Sequence, residues 1–338
     1  MNKPIFFDST LRDGSHVVRH QISIETITEY CKMIDGSGVY AVIVGHGNGL
    51  GASTLQVGRS LHSDLEMISA ARAALHETKL GAFMLPGFGT IKDDLAPALD
   101  AGVDLVCVGV HCTEADVTQQ YIEYVTGRGK EAIGVLMMYH RAPKERLLEE
   151  AKKMQSYGAR AVILMDSAGS STVDMVRQTV EYLVRHLQIP VGFHAHNNLS
   201  MAVANSFVAL ESGATIIDGT TRGFGAGAGN CQLEAVVALL QKNGIDAGVE
   251  LYKLLDAGEK VLKPIMTKPQ GIDPVSIVSG LAGVFSGFAP HVKRAAEEFG
   301  VDPRDIFMEL GRRNVVAGQE DIIVDVAVEL AKRQTQNV

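Results

Sequence analysis

The chain has 338 residues, of which 46% are hydrophobic and 21% charged, and its formal net charge at pH 7 is −8. This length and composition predict a folded protein with one large and one smaller domain, and they exclude a disordered chain. The acidic balance, without a long basic run, argues against nucleic acid or an anionic membrane surface as a partner.

Short apolar runs alternate with longer segments of helical periodicity, a pattern typical of parallel β/α units. The predicted strands are 5–8, 41–45, 81–85, 105–110, 134–138, 161–165, 191–194 and 216–219. The helical segments predicted after them include 25–34, 65–75, 115–127, 144–157, 172–186, 200–210 and 232–242. Eight such units within roughly 240 residues match the size of a (β/α)8 TIM barrel, an α/β fold whose catalytic groups lie at the carboxyl ends of the strands.

The strand pattern stops near residue 248. Five further helical segments are predicted, at 249–263, 274–288, 291–299, 303–309 and 321–333. We therefore predict a catalytic barrel domain over 1–247 and a helical C-terminal domain over 248–338, which we expect to contact a partner and to cover the active site.

Targeting signals and cysteine spacing indicate where in the cell the protein resides and which state its cysteines adopt. Apolar stretches stay below the ~18 residues of a membrane-spanning helix, and the first residues lack a signal-peptide pattern, so we expect a cytoplasmic protein without a membrane partner. The four cysteines have neither zinc-site spacing nor the density of a disulfide scaffold. We interpret them as buried free thiols.

The pair His194 and His196 closes the seventh predicted strand. Residues i and i+2 of a strand point the same way, so both imidazoles are able to reach one metal ion. The same spacing also occurs as ordinary polarity at a strand end, and by itself it leaves both interpretations open. The loop after the first strand adds a guanidinium, a carboxylate and an imidazole in Arg12, Asp13 and His16.

Other polar residues follow the remaining strands. We interpret His46, His111 and His140 as hydrogen-bonding groups around the site and not as ligands, because three protein ligands suffice for an open catalytic ion. The glycine-rich segment 223–230 has two interpretations. A dinucleotide site is one, but the segment follows the last strand and lacks an acidic ribose partner, so a tight loop approaching the rim is favoured.

Several motifs together resemble those of the 4-hydroxy-2-oxovalerate aldolases. These are pyruvate-specific, metal-dependent aldolases of the wider group that includes hydroxymethylglutaryl-CoA lyase and isopropylmalate synthase. The motifs lie at 8–14, 45–51, 111–116, 194–196, 225–230, 309–313 and 318–321, and they span nearly the whole chain. The segment 111–116 and the two C-terminal motifs are specific to the aldolase branch.

The resemblance implies reversible cleavage of a 4-hydroxy-2-oxo acid into pyruvate and an aldehyde, and a place in aromatic hydrocarbon catabolism. It implies a divalent ion, Mn2+ first with Co2+ or Mg2+ as alternatives, that stabilises the enolate as a Lewis acid. The ion would be held by Asp13, His194 and His196. His16 would act as general base and Arg12 would stabilise the enolate oxygen. The residues implied to bind substrate are Arg12, Asp13, Ser167, His194 and Phe285.

Structural alternatives remain for several of these residues. Asp13 is also suited to capping the following turn, Arg12 to pairing with Asp8 or Asp166, and His16 to a solvated loop position. Ser167 is equally suited to capping the helix after the sixth strand. His20, Asn230 and Glu234 are candidates for support without an assigned role.

The chain departs from the family pattern at three positions, which are Asn48, Asn197 and Phe285 in place of Asp, His and Tyr. Loss of the tyrosine hydroxyl makes the aldehyde end of the pocket the part we expect to differ, with a bulkier or aromatic acceptor. The family aldolases usually associate with an acylating aldehyde dehydrogenase, and we expect an oligomer in which that partner is optional.

Three other functions make different demands on the sequence. A Claisen-type acyl-CoA lyase or synthase would share the metal site without the aldolase-specific C-terminal region. A Schiff-base aldolase would need a lysine at a strand end. A non-catalytic barrel subunit would not need Arg12, Asp13, His16, His194 and His196 together.

Overall fold

Eight parallel strands form a closed barrel in which each strand pairs with its neighbours in chain order and the last pairs with the first. The computed structural model describes residues 3–336. The strands are β1 (Ile5–Asp8), β2 (Ala41–Ile43), β3 (Lys79–Met84), β4 (Leu105–His111), β5 (Glu131–Met137), β6 (Ala161–Asp166), β7 (Val191–Ala195) and β8 (Ile216–Gly219). Every predicted strand is present, and the predicted barrel is confirmed.

The barrel interior is a packed hydrophobic core. Alternate residues of each strand point inward, as Ile133, Val135 and Met137 of β5 do. They join inward residues of the other strands, including Phe7, Phe83 and Met165, in one buried cluster. Because side chains fill the barrel, a substrate reaches only its carboxyl-terminal mouth.

Helices surround the barrel and cover the outward faces of its strands. They are α1 (Ile24–Ile34), α2 (Asp64–Ala74), α3 (Ala96–Asp100), α4 (Gln119–Gly127), α5 (Lys144–Ser156), α6 (Val173–His186), α7 (Ala202–Glu211) and α8 (Leu233–Lys242). The connection after β3, which is not among the helical ranges given above, holds a π-helical turn, Ile91–Leu95, before the short α3. The predicted segment 115–127 is divided into a 3-10 turn, Ala115–Thr118, and α4.

The C-terminal helices belong to two hydrophobic cores. Helix α9 (Leu251–Ala257), a π-helical turn (Gly258–Leu262) and α10 (Lys263–Ile265) follow the barrel, and Leu254 and Leu262 pack into the core beneath the barrel helices. Helices α11 (Pro274–Ala282), α12 (Ala289–Phe299), α13 (Pro303–Arg312) and α14 (Asp321–Gln336) enclose a separate core. The division predicted at residues 247 and 248 remains a prediction.

The predicted helix 274–288 ends early, at Ala282. Gly283 takes the left-handed conformation, φ 63°, that commonly closes a helix. A short 3-10 turn, Ser286–Phe288, then leads into α12. This break releases Phe285 from a helical face and lets it contact the barrel. Within residues 3–336, no helix combines the length and the apolar character needed to cross a membrane.

Glu150 on α5 is fully buried and anchors the aldolase-type segment after β4. Its carboxylate accepts the Ala115 backbone N–H at 2.7 Å and pairs with Arg146 at 2.6 Å and Lys153 at 2.9 Å.

Glu150→Ala should lower the free energy of unfolding by about 2–3 kcal/mol, because it leaves a buried N–H without its partner and opens a cavity. Urea unfolding would measure this. The exposed Glu149→Ala should cost under about 0.5 kcal/mol, and equal costs would contradict the anchoring role.

Candidate active site and metal centre

Three buried side chains meet at the carboxyl-terminal mouth of the barrel. Asp13 begins a 3-10 turn after β1, His194 lies in β7, and His196 follows that strand. One ligand atom from each lies within 4.8 Å of the other two. The structure therefore brings together the three residues predicted to bind a metal ion, at the end of the barrel where catalytic groups are expected.

A carboxylate orients His194. The Nδ1–H of His194 donates to Asp218 at 2.8 Å, and the other oxygen of Asp218 accepts the Ser9 hydroxyl at 2.7 Å. This bond fixes the tautomer of the ring and leaves Nε2 as the acceptor nitrogen, which lies 3.4 Å from the side-chain nitrogen of Asn230. Sequence reasoning missed Asp218, although it lies at the carboxyl end of the predicted eighth strand, where such groups were expected.

Asp13 is held as a carboxylate by its neighbours. One oxygen accepts Arg12 Nη1 at 2.8 Å, and the other accepts Asn230 Nδ2 at 2.7 Å and the Ala226 N–H at 3.2 Å. Burial alone would raise the pKa of Asp13, but the Arg12 charge and the nearby imidazoles hold it well below its usual range. The carboxylate is thus ionised throughout the physiological range. It does not cap the turn.

His196, the second imidazole of the trio, has a nitrogen, the buried Nδ1, without a hydrogen-bond partner among residues 3–336. Burial lowers the pKa of His196 to about 4, so the ring is neutral near pH 7. Two imidazoles and one ionised carboxylate are a donor set that suits a divalent catalytic ion. The residues present therefore fit such an ion.

Arg12 places a buried positive charge beside this trio. Its Nη1 also donates to the Gly47 carbonyl at 3.3 Å, and its guanidinium lies 4.6 Å from the centroid of the Phe83 ring. Arg12 pairs with the carboxylate of Asp13 and not with that of Asp8 or Asp166. Asp8 instead accepts the Thr10 N–H at 2.9 Å. The nitrogen Nε of Arg12 is buried and without a partner among residues 3–336.

His16 is partly buried and closely packed. A Cβ on Gly47 would lie 2.3 Å from His16 Nε2, so position 47 tolerates only glycine while the imidazole stays in place. Burial lowers the pKa of His16 to about 4, although Asp13 opposes this shift. The neutral imidazole is the form that is able to accept a proton. A freely solvated loop position does not describe this residue.

His20 and His46 stack behind His16, with ring centroids 3.6 Å apart. The Nε2–H of His20 donates to the Val57 carbonyl at 3.2 Å, and that of His46 donates to the Gly58 carbonyl at 3.1 Å. Both rings are therefore neutral hydrogen-bonding groups, and burial lowers both pKa values to about 3. They support the loop that carries the catalytic-base candidate.

Ser167 follows β6 and does not cap the next helix. Its Oγ accepts the Met138 N–H at 3.2 Å, while the cap of α6 is Thr172. The Ser167 carbonyl accepts the Ser286 N–H at 3.0 Å. Phe285 thus reaches the mouth from the helical region, and its partly buried ring packs against the inward-facing cluster of the barrel.

The glycine-rich segment behaves as a tight loop against the metal-site residues. A Cβ on Gly225 would lie 2.4 Å from Asn230 Oδ1 and 2.7 Å from Asp13 Oδ2. Glycine at this position lets the backbone approach the Asp13 carboxylate, to which Ala226 and Asn230 donate. This contact agrees with the tight-loop interpretation, and it assigns Asn230 a supporting role.

Comparisons with known proteins bear on this site. A family model described as HMGL-like matches residues 3–261, and a DmpG-like communication domain matches residues 270–332. A 4-hydroxy-2-oxovalerate aldolase from Pectobacterium atrosepticum is 53% identical over 336 residues, 99% of this chain and 98% of that protein. The same-named protein from Spirochaeta aurantia is 52% identical and covers 98% of both chains. The chain belongs to the 4-hydroxy-2-oxovalerate aldolase family.

Solved structures share the fold of this 4-hydroxy-2-oxovalerate aldolase family member at lower identity. The carboxyl transferase domain of Rhizobium etli pyruvate carboxylase, solved with oxamate and biotin, matches with a TM-score of 0.82. It is 14% identical, and the match covers 98% of this chain and 61% of that one. At this identity the likeness shows the fold alone.

Membership of the 4-hydroxy-2-oxovalerate aldolase family favours a carbon–carbon lyase over the Claisen-type enzyme and the non-catalytic barrel, since the communication-domain match covers the C-terminal helices. A side-chain contact accounts for the departure at Asn197. The side chain of Asn197 accepts the Ala202 N–H at 3.1 Å and holds the start of α7. At Asn48 it is the backbone N–H that donates to His46 at 3.0 Å, and among residues 3–336 no hydrogen bond explains the Asn side chain.

Proposed function

We propose that this protein is a divalent-metal-dependent aldolase that reversibly cleaves a 4-hydroxy-2-oxo acid, 4-hydroxy-2-oxovalerate or a bulkier analogue, into pyruvate and an aldehyde. The observation that carries the proposal is the approach of Asp13, His194 and His196 to within 4.8 Å of one another, beside a buried guanidinium. A divalent ion held there would act as a Lewis acid toward the 2-oxo acid.

The reaction assigns separate tasks to His16 and Arg12. His16, neutral near pH 7, takes the proton from the C4 hydroxyl as the C3–C4 bond breaks and the C4–O bond becomes the aldehyde carbonyl. The electron pair of the broken bond passes to the enolate of pyruvate, and Arg12 lies where its fixed charge stabilises the enolate oxygen. A proton from solvent then adds to C3 to complete pyruvate, and His16 releases its proton to solvent, which returns the base to its neutral form.

Ser167 is proposed to hold the pyruvate carboxylate. Its oxygen already accepts the Met138 N–H, which leaves the hydroxyl hydrogen free to donate. The side chain is fully buried between β5 and β6 loops, so a carboxylate bound there would be shielded from water. Phe285, whose neighbour Ser286 bonds to the Ser167 carbonyl, would then face the aldehyde portion of the substrate from the helical region.

The remaining parts of the proposal come from the sequence. Mn2+ is the proposed ion, with Co2+ and Mg2+ as alternatives, because imidazole and carboxylate donors accept all three. An acylating aldehyde dehydrogenase is the proposed partner, consistent with the match to a communication domain. We also propose an oligomeric, cytoplasmic enzyme of aromatic hydrocarbon catabolism.

The test is pyruvate formation from a panel of 4-hydroxy-2-oxo acids that differ in the C4 substituent. The protein is first stripped with EDTA and then assayed with and without added Mn2+, Co2+ or Mg2+. Metal-dependent release of pyruvate and the matching aldehyde is expected. Equal turnover in EDTA would contradict the metal-dependent proposal, and turnover only with acyl-CoA substrates would favour the Claisen-type alternative.

Phe285 should set the preference for the aldehyde. An aromatic face without a hydroxyl favours larger apolar aldehydes over acetaldehyde, by about 1–2 kcal/mol for a modest apolar group. Phe285→Tyr should shift kcat/KM for aldol addition back toward acetaldehyde. Steady-state kinetics with both aldehydes at fixed pyruvate and Mn2+ would measure this. A wild-type preference for acetaldehyde that is unchanged in the variant would contradict it.

A further inference from the structure

The segment that carries Phe285 is fastened to the barrel on both sides. Before it, the carbonyl of Gly283 accepts two hydrogen bonds, from Arg141 Nη2 at 2.6 Å and from His140 Nε2 at 3.2 Å. After it, the Ser286 N–H donates to the Ser167 carbonyl at 3.0 Å. A segment held on both flanks has little freedom to move the ring between them.

Arg141 joins the loop after β5 to two places in the helical region. Besides Gly283, it donates through Nη1 to the side chain of Asn314 at 2.7 Å. The planar guanidinium supplies both bonds in one fixed geometry, which a single ammonium group does not reproduce. Asn314 itself adopts φ 55°, a left-handed conformation that places its amide at the end of α13.

Phe285 contacts both hydrophobic cores. Its ring packs against the inward-facing residues of the barrel and also against the core of α11–α14. Phe83, which stacks under the Arg12 guanidinium, belongs to the same inward-facing cluster. The position of the Phe285 ring over the barrel mouth therefore depends on how far apart the two cores lie where Phe285 contacts both of them.

We propose that Arg141, assisted by His140, is a positioning residue. Their hydrogen bonds to the Gly283 carbonyl form a clamp that holds Phe285 over the barrel mouth, so that its ring packs against the aldehyde. The specificity consequence rests on the proposed aldolase function. The clamp itself does not touch the reacting atoms. It acts through the Gly283 carbonyl and the chain that follows.

Loss of the clamp should let the Phe285 ring move away from the aldehyde subsite, so that a bulky aldehyde loses its packing against the ring while pyruvate chemistry stays intact. In Arg141→Met, the ratio of kcat/KM for a bulky aldehyde to that for acetaldehyde should fall roughly 5-fold or more, mainly through KM of the bulky aldehyde. In Arg141→Lys the ratio should lie between those of Arg141→Met and the wild type, because one ammonium group does not supply the bonds to both Gly283 and Asn314. Arg185→Met, on the exposed face of α6, is the matched control and should leave the ratio unchanged.

Asn314→Gly provides a second variant. Glycine keeps the left-handed backbone and removes only the amide, so the effect should have the same direction and be smaller. The double variant Arg141→Met with Asn314→Gly should lose no more than Arg141→Met alone, since both changes break one clamp. Additive losses would overturn the idea of a single device.

Two further measurements separate this proposal from the proposed function. Metal-dependent exchange of the pyruvate methyl hydrogens with D2O, followed by mass spectrometry, should be unchanged in every variant. Its absence in the wild type would contradict the aldolase proposal and not the clamp. Amide hydrogen exchange should rise around 284–288 in Arg141→Met. Unchanged amide exchange, or an unchanged aldehyde ratio with normal pyruvate exchange, would overturn the clamp.

Discussion

Replacing His194 by alanine should remove most of the bound divalent ion and nearly all lyase activity. The imidazole is one of three donors, and Asp218 holds its Nδ1–H so that Nε2 faces the other two. Loss of a ligand should weaken metal affinity about 100-fold or more, since changes to outer-shell partners alone cost 10–100-fold. Equilibrium dialysis with Mn2+, together with pyruvate release, would measure both effects.

The control for this experiment is His186→Ala, an exposed histidine near the end of α6. It should keep full metal occupancy and turnover. Circular dichroism would establish that both variants retain the fold. Full metal occupancy with normal turnover in His194→Ala would contradict the assignment of the metal site.

The second large effect should come from His16→Ala. A general base contributes about 10²–10⁴-fold in rate, so kcat should fall within that range while Mn2+ affinity stays close to wild type. The dependence of activity on pH provides an independent test of His16 as the base. Because burial lowers the pKa of His16 to about 4, the base is neutral above that value, and wild-type activity should fall only as pH approaches 4 from above.

In His16→Ala assayed at saturating Mn2+, which opposes protonation of the ligand His196, that acidic limb should disappear from the profile of residual activity. Metal affinity measured on the same preparation distinguishes base from ligand. A variant that loses its metal would show that His16 is a ligand, and a variant with normal kcat would show that another group accepts the proton.

The barrel was predictable because its local patterns agree. Each strand is a short apolar run followed by polar residues, and parallel topology brings those polar residues to one rim. His194 and His196 share a strand end, so their approach follows from the pleat alone. The choice of Asp13 as the third ligand came from the family resemblance. In the structure the first strand pairs with the eighth, next to the seventh, and this brings Asp13 to the two histidines.

Other features depend on contacts that one segment does not reveal. Helix α3 is only five residues long and follows a π-helical turn, so its periodicity is too short to read. Asp218 had a visible signal, but its choice of His194 depends on the register between β7 and β8. The break at Gly283 needed the barrel loop whose Arg141 and His140 hold the released carbonyl.

Because Phe285 packs between two cores, the residues for the proposed chemistry and the residue for aldehyde choice come from different parts of the chain. The three donors for the ion, the base and the guanidinium all come from the barrel, within β7 or in the segments that follow β1 and β7, whereas the ring over the mouth comes from the helical region. Substitutions far apart in a structure combine almost independently. Drift in α11–α14 should therefore diversify the accepted aldehyde within a lineage while pyruvate activation is conserved, so this region is the place to engineer new carbon–carbon bond-forming specificity.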